Sequence, residues 1–229
     1  MPRAFFPTLF CGKACDEIEL RELQRLATQV YPPPGETIFS EGDLADDVFG
    51  LSHGVVRLYK LLPDGRRQIL AFALPGEFLG MPFADRHAFS ADAIGEVALC
   101  RFSRSELTKF VRSSPGVMEL MVEFAAHELE MAQNQLLLLG SGSAEEKVAM
   151  FLVNWQDRLA RFSVFSETVP LPMRRQDIAD FLGLKLETVS RTLAKLEQKN
   201  VIRLLPNGVF LTDLARSRLR TGASRPPQI

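Results

Sequence analysis

Cysteine is scarce in this 229-residue chain: Cys11, Cys15 and Cys100 are all there is. An odd, low count argues against a disulfide framework. The opening Met1-Pro2-Arg3-Ala4-Phe5-Phe6-Pro7 has one basic residue, no sustained apolar stretch and no cleavage signature. A cytoplasmic protein without a signal peptide is therefore expected. Long hydrophobic runs are missing too. Segments such as Leu136–Leu139 fall far short of the roughly 20 apolar residues needed to span a bilayer. The chain contains no P-loop, no G-x-G-x-x-G, no G-x-S-x-G and no H-E-x-x-H, which argues against an enzyme. Only three histidines occur, His53, His87 and His127, so histidine-based metal or haem sites have little to build on. His53 reads as a turn residue beside Gly54, His87 as exposed, and His127 as a seam or surface residue.

What is present is enough for a packed core, with 46% apolar and 24% charged residues. The formal charge of −1 hides a split. Residues 1–143 carry 13 basic and 19 acidic side chains, whereas residues 144–229 carry 14 and 9. An acidic body with a basic end is the pattern of a nucleic-acid-binding protein.

Along the chain, Glu17–Thr28 shows helical periodicity and ends at Pro32-Pro33-Pro34-Gly35. Short runs rich in β-branched and aromatic residues follow, punctuated by Gly35, Gly42, Gly54, Gly65 and Gly76. Val55–Leu61 and Gln68–Leu74 flank a Pro63-Asp64-Gly65 turn and predict a hairpin in a β-barrel or sandwich that runs to Phe102. Phe72, Phe78, Phe83 and Phe89 point to an apolar interior. A short helix over Glu106–Ser113 precedes a long one from Val117 to Leu139. There Leu120, Phe124, His127, Met131, Asn134 and Leu138 fit a heptad-like seam, which predicts a homodimer through a two-stranded coiled coil. The same helix could instead pack on its own domain. Gly140-Ser141-Gly142-Ser143 reads as a hinge and Ala144–Leu159 as a further helix.

Arg174–Lys199 carries the functional signal. Gln176–Leu182 predicts a short helix, Gly183-Leu184 a tight turn, and Leu186–Leu196 a second helix: a helix-turn-helix. Glu187, Ser190, Arg191 and Lys195 share one face of the second helix. Arg can donate two bonds to guanine, Glu can accept from cytosine, and Ser can bond several base edges. Leu186 opens that helix, where it either meets a thymine methyl or merely covers the helix start. Arg174, Arg175, Lys185 and Lys195 are the expected phosphate contacts. Lys185 stands where an oxygen-bearing cap would be usual. Val201–Leu204 and Val209–Leu211 flank Pro206-Asn207-Gly208, a hairpin signal for a β-wing. Double-stranded DNA is the expected partner.

The order of these parts resembles the CRP/FNR superfamily of bacterial regulators, over about residues 17 to 215. The resemblance implies an α+β protein made of an N-terminal β-barrel like a cyclic-nucleotide-binding domain, a long dimerisation helix and a C-terminal winged helix-turn-helix. It places an arm at 1–16, the barrel at 17–115, the dimer helix at 116–139, the hinge at 140–143, the DNA-binding domain at 144–220 and a tail at 221–229. Glu187-x-x-Ser190-Arg191 resembles the recognition signature of the FNR and FixK branch; the cyclic-AMP-receptor branch has Gly where Ser190 stands. Glu187, Ser190 and Arg191 would then read a TTGAT-type half-site of an inverted palindrome. Most relatives activate by touching RNA polymerase and serve low-oxygen respiration, denitrification or nitrogen fixation.

The signal sensed stays open. Gly76-Glu77-Phe78-Leu79-Gly80 matches the start of the family's cyclic-phosphate segment, but Phe89 replaces its arginine, which argues against a cyclic nucleotide. Gly76 and Glu77 then read as turn residues. The resemblance to oxygen sensors implies an iron-sulfur cluster on Cys11, Cys15 and Cys100, although the family's N-terminal pattern holds one cysteine more. A thiol redox switch and a cofactor-free effector of the FixK type are the alternatives. Ala132 bears on the last, because oxygen-controlled relatives have an acidic residue nearby, and Ala eases dimerisation without a cofactor.

Overall fold

The computed structural model describes residues 17–81, 83–140, 142–160 and 168–212. The chain divides into two compact units, Met1–Gln133 and Asn134–Ile229. The division falls inside the long helix, ahead of the Gly140–Ser143 stretch.

The first unit opens with α1 (Glu17–Leu26). Acidic Glu17 and Glu19 sit in its first turn and Arg25 in its last, as the helix dipole favours. Leu23 is fully buried, with Leu20 and Leu26 packed beside it. Six strands follow: β1 (Thr28–Val30), β2 (Thr37–Phe39), β3 (Asp47–Leu61), β4 (Arg67–Ala73), β5 (Phe78–Leu79) and β6 (Ser90–Ser103). The predicted hairpin is β3–β4, closed by Pro63-Asp64-Gly65.

Two strands organise the sheet. β3 and β6, 15 and 14 residues long, pair antiparallel from Asp47↔Ser103 to Tyr59↔Ser90. Both are far longer than the usual five or six residues. β3 takes β5 near Phe49 and β4 from Val56 onwards, while β6 takes β1 at one end and β2 at the other. The pairing order β1-β6-β3-β4, with β2 and β5 off that path, makes the expected barrel or sandwich a jelly-roll-like arrangement and not a closed barrel. The register slips on both sides of His53, so this residue lies in a bulge within β3 and not in a turn.

One apolar cluster fills the inside of the roll, including Phe49, Leu51, Val56, Leu58, Ala91 and Leu99. A second lies where α1, α2 (Arg104–Ser113) and the start of α3 (Pro115–Gly140) cover the sheet. Phe72 and Phe78 are buried as expected, but Phe83 lies in a surface segment and is 48% exposed.

The second unit contains α4 (Ala144–Ala160), β7 (Thr168–Pro170), α5 (Arg175–Leu182), α6 (Leu186–Gln198), β8 (Ile202–Leu205) and β9 (Gly208–Leu211). Val148, Phe151, Leu152 and Trp155 of α4 are buried with Ile178, Leu182, Val189, Leu193 and Leu196. The Trp155 indole donates to the Pro170 carbonyl at 2.8 Å, which fixes α4 against β7. The last turns of α3 belong to this unit: Gln135 donates to the Phe181 carbonyl at 2.7 Å, and Lys147 to the Leu139 carbonyl at 2.7 Å. Among the described residues no helix is long and apolar enough to cross a membrane.

Candidate nucleic-acid interface

The helix-turn-helix is set by a buried carboxylate and a glycine. Asp177, in the first turn of α5, is buried, and its Oδ2 accepts the Arg174 N–H at 2.9 Å. That bond satisfies an amide at the helix start and fixes where α5 begins. At the other end Gly183 has φ +63° and ψ +34°, the left-handed region that costs an ordinary side chain about 1 kcal/mol. The Leu184 N–H returns to the Ala179 carbonyl at 3.0 Å. This turn aims α6 away from α5.

Lys185 precedes α6 in an extended conformation and makes no side-chain cap. The first-turn amides of α6 therefore lack a capping side chain, and their positive end lies beside exposed Lys185, Leu186 and Glu187. Val189, Thr192, Leu193 and Leu196 are buried on one side of α6. Glu187 and Arg191 stand exposed on the other, with Ser190 half-buried between them. Among the described residues neither Glu187 nor Arg191 has a hydrogen bond or ion pair, so both are free to meet base edges. Arg174 is exposed at the start of α5. Arg175 is exposed beside a cavity of about 140 Å³ lined by Met173, Ile178, Leu193, Leu204 and Val209.

Lys195 behaves differently. The sequence groups it with the phosphate contacts, yet its ammonium lies 2.7 Å from Glu145 Oε2 at the start of α4, and Lys199 holds the same carboxylate through Oε1. Helical spacing sets Lys195 on the flank of α6 rather than in the middle of its exposed face, and Lys199 follows the helix end. The two lysines hold the Glu145 carboxyl below the ordinary glutamate range, Lys195 most strongly. No sequence signal marks Glu145, because it lies 54 residues ahead of Lys199.

The wing forms as expected with two differences. β7 adds a third strand beyond β9, in the order β7-β9-β8. Three residues are too few for a periodic signal. The hairpin loop is Pro206-Asn207, since Leu205 pairs with Gly208. Neither Asn207 nor Gly208 takes a positive φ, which excludes the mirror-image turn that Asn-Gly favours. Pro206 fixes the loop's first φ near −65°. Gly208 is needed because a Cβ there would overlap the Val169 carbonyl of β7.

The residues of the expected dimer seam differ in burial. Val117, Leu120, Met121 and Phe124 belong to the core of the first unit. The Phe124 ring packs edge-on to Phe78 with centroids 5.7 Å apart. Leu138 is buried, His127 and Met131 are half-buried, and Asn134 is exposed. The uncovered apolar stripe is instead Val122, Leu129 and Leu136, which are 62%, 61% and 70% exposed and recur every seventh residue. Both stripes have helical periodicity, and the jelly roll claims the one that carries Phe124.

Comparison with known proteins agrees with this architecture. A cyclic nucleotide-binding domain model matches residues 29–114, and a Crp-like helix-turn-helix domain model matches residues 146–218. The transcriptional activatory protein AadR of Rhodopseudomonas palustris is 50% identical over 232 aligned residues, covering 94% of this chain and 97% of that protein. The nitrogen fixation regulation protein FixK of Bradyrhizobium diazoefficiens is 51% identical over 201 residues, covering 88% of this chain and 85% of that protein. The solved structure of FixK2 from Bradyrhizobium japonicum superposes with a TM-score of 0.79 at 36% identity, covering 88% of this chain and 99% of that one. The chain belongs to the CRP/FNR family, in its FixK-like branch.

As a CRP/FNR family protein it is a DNA-binding transcription regulator, and the winged helix-turn-helix is the part that meets DNA. The ligand groups associated with the family fit it poorly. Phe89 is partly buried against the interior cluster, 5.9 Å from the Phe39 ring, where the family's arginine would hold a cyclic phosphate. His87, expected to be exposed, is buried and stacks on Phe39 with centroids 3.8 Å apart; its desolvation lowers its pKa. Gly76 and Glu77 serve the fold. Gly76 N–H donates to Leu51 at 2.7 Å, and Glu77 Oε2 accepts the Leu74 N–H at 3.1 Å.

For an iron-sulfur cluster, Cys100 is the one proposed ligand among the described residues; Cys11 and Cys15 lie outside them. Cys100 is fully buried with Leu23, Phe78, Phe102 and Leu107, and desolvation pushes its thiol up to about 11. A cluster ligand must be a thiolate. The apolar surroundings of Cys100 oppose one.

Proposed function

We propose that this regulator is a cofactor-free, FixK-type activator that binds a TTGAT-N4-ATCAA palindrome as a symmetric homodimer and serves genes expressed at low oxygen. The exposed Glu187–Ser190–Arg191 face of α6, with Glu187 and Arg191 free of partners among the described residues, carries the reading. Arg191 donates to guanine, Glu187 accepts from cytosine, and Ser190 bonds an adjacent edge. Leu186 covers a thymine methyl. Arg174, Arg175 and Lys185 take phosphates, Lys185 together with the uncapped first turn of α6. The seven-residue stripe Val122, Leu129 and Leu136 pairs the subunits in a coiled coil. Gly140–Ser143 is the hinge between the domains. Activation through contact with RNA polymerase follows the relatives, which carry activator names.

The cofactor-free reading rests on the apolar burial of Cys100 and on Phe89. Anaerobic purification followed by a visible spectrum, iron and sulfide assays, and titration of the palindrome before and after air exposure decides it. The expected result is a colourless dimer that binds equally in both states. Iron, sulfide and DNA binding lost in air would establish a sensor on Cys11, Cys15 and Cys100 instead.

A further inference from the structure

The flank of the recognition helix holds a feature that base reading does not need. Lys195, on the flank of α6, and Lys199, just beyond its end, are both committed to one carboxylate. Glu145 presents Oε2 to Lys195 at 2.7 Å and Oε1 to Lys199. The carboxylate is the most enclosed of the three groups, with 27% of its side chain exposed against 58% and 46% for the lysines. Its backbone lies in the first turn of α4, just after Ser143 and Glu146 cap one another: Ser143 N–H donates to Glu146 Oε2 at 2.6 Å, and Glu146 N–H to Ser143 Oγ at 3.3 Å. Glu145 itself is thus free of capping duty and bridges Lys195 on α6 and Lys199 just beyond its end.

Resting on the DNA-binding reading above, we propose that Glu145 is a specificity-determining residue: by holding Lys195 and Lys199 it withholds two cations from the phosphate backbone and so weakens binding to non-cognate DNA. A lysine that neutralises a phosphate strengthens binding to every sequence alike and adds about 0.9 to the salt slope. A lysine already neutralised by its own protein adds little. Arg191 and Glu187 have no such internal neutraliser among the described residues, so the device damps the sequence-blind contribution and leaves the base-reading one intact. The ratio of cognate to random binding rises as a result.

The test compares the wild type, Glu145→Gln, Lys195→Gln/Lys199→Gln and the triple variant. Each is titrated against a random duplex and against the palindrome from low to physiological salt, with thermal melting as a control. For Glu145→Gln the random-duplex salt slope should steepen by up to about 0.9 per subunit, because one carboxylate neutralises one of the two lysine charges. Random-duplex affinity should rise several-fold at low salt, and the cognate-to-random ratio should fall. Lys195→Gln/Lys199→Gln should flatten the slope by about 0.9 in the wild-type background and by about twice that in the Glu145→Gln background. An unchanged slope in Glu145→Gln overturns the proposal. So does a double-lysine variant that flattens the slope equally in both backgrounds, which would mean the lysines already contact phosphate. Weaker binding to both duplexes with a lowered melting temperature in Glu145→Gln would show a purely structural brace and overturns it as well. A wild type that fails to prefer the palindrome would defeat the DNA-reading assignment; the random-duplex slopes would still judge Glu145.

Discussion

In the proposed reading of DNA, Arg191 is the residue on which sequence discrimination depends. It stands exposed on α6 with no internal partner among the described residues, so its guanidinium reaches DNA without first breaking a bond. Replacing Arg191 by Ala should cost about 1–3 kcal/mol on the palindrome. That is roughly a tenfold to hundredfold loss of affinity per subunit. Binding to a random duplex should change little, and sedimentation should still show the dimer. Fluorescence anisotropy on the two duplexes measures the difference, and equal losses on both would place Arg191 on phosphate. Cys100 carries a second residue-scale consequence. Its thiol rises to about 11 through burial, against about 8.5 in an unfolded chain. A group with a raised folded pKa stabilises fully below its unfolded value and loses that contribution as pH climbs through the folded one. The stability difference between the wild type and Cys100→Ala should therefore shrink between about pH 8.5 and 11. Urea midpoints across that range test it. An unchanged difference would mean that Cys100 is not desolvated.

At the scale of the element, α3 has two apolar faces with different duties. Leu120 and Phe124 are core residues of the first unit. Phe124→Ala should lower the unfolding free energy by about 3–5 kcal/mol. Leu129 is 61% exposed on the other face. Leu129→Glu should leave folding intact, because a glutamate at that position stays in water. It should convert the dimer to a monomer and reduce palindrome binding in proportion. Ultracentrifugation and circular dichroism separate the two outcomes. A dimer that survives Leu129→Glu would return the seam to the buried face or move it elsewhere. The coil between α5 and α6 is equally determined, since Gly183 is the residue that admits its left-handed turn at low cost.

Over the whole molecule, the charge split places the surplus of basic residues in the segment that holds the winged helix-turn-helix. The proposed symmetric dimer would fix the spacing of its target. Two recognition helices that meet one face of B-DNA lie about one helical turn, ~34 Å, apart. Inserting five base pairs between the half-sites turns the second by about half a turn. Affinity for that duplex should fall to the level of a single half-site. Gel-shift titration of the two spacings checks this, and equal affinity would mean that the subunits read their half-sites independently.

The sequence by itself determined the parts whose signals are local. The Gly183 turn, the period of α6, the Glu187–Arg191 face, the β3–β4 hairpin and the wing all depend on neighbours a few residues apart, and each was legible. Tertiary structure alone decided what depends on distant partners. Which apolar stripe of α3 is buried depends on what the jelly roll leaves uncovered. Whether Lys195 is free for phosphate depends on Glu145, far back in the chain. Whether Cys100 behaves as a ligand or as a core side chain depends on Leu23, Phe78 and Phe102 closing around it. Local periodicity cannot tell an apolar face that will be covered from one that will not, because the two have the same spacing and differ only in what folds against them.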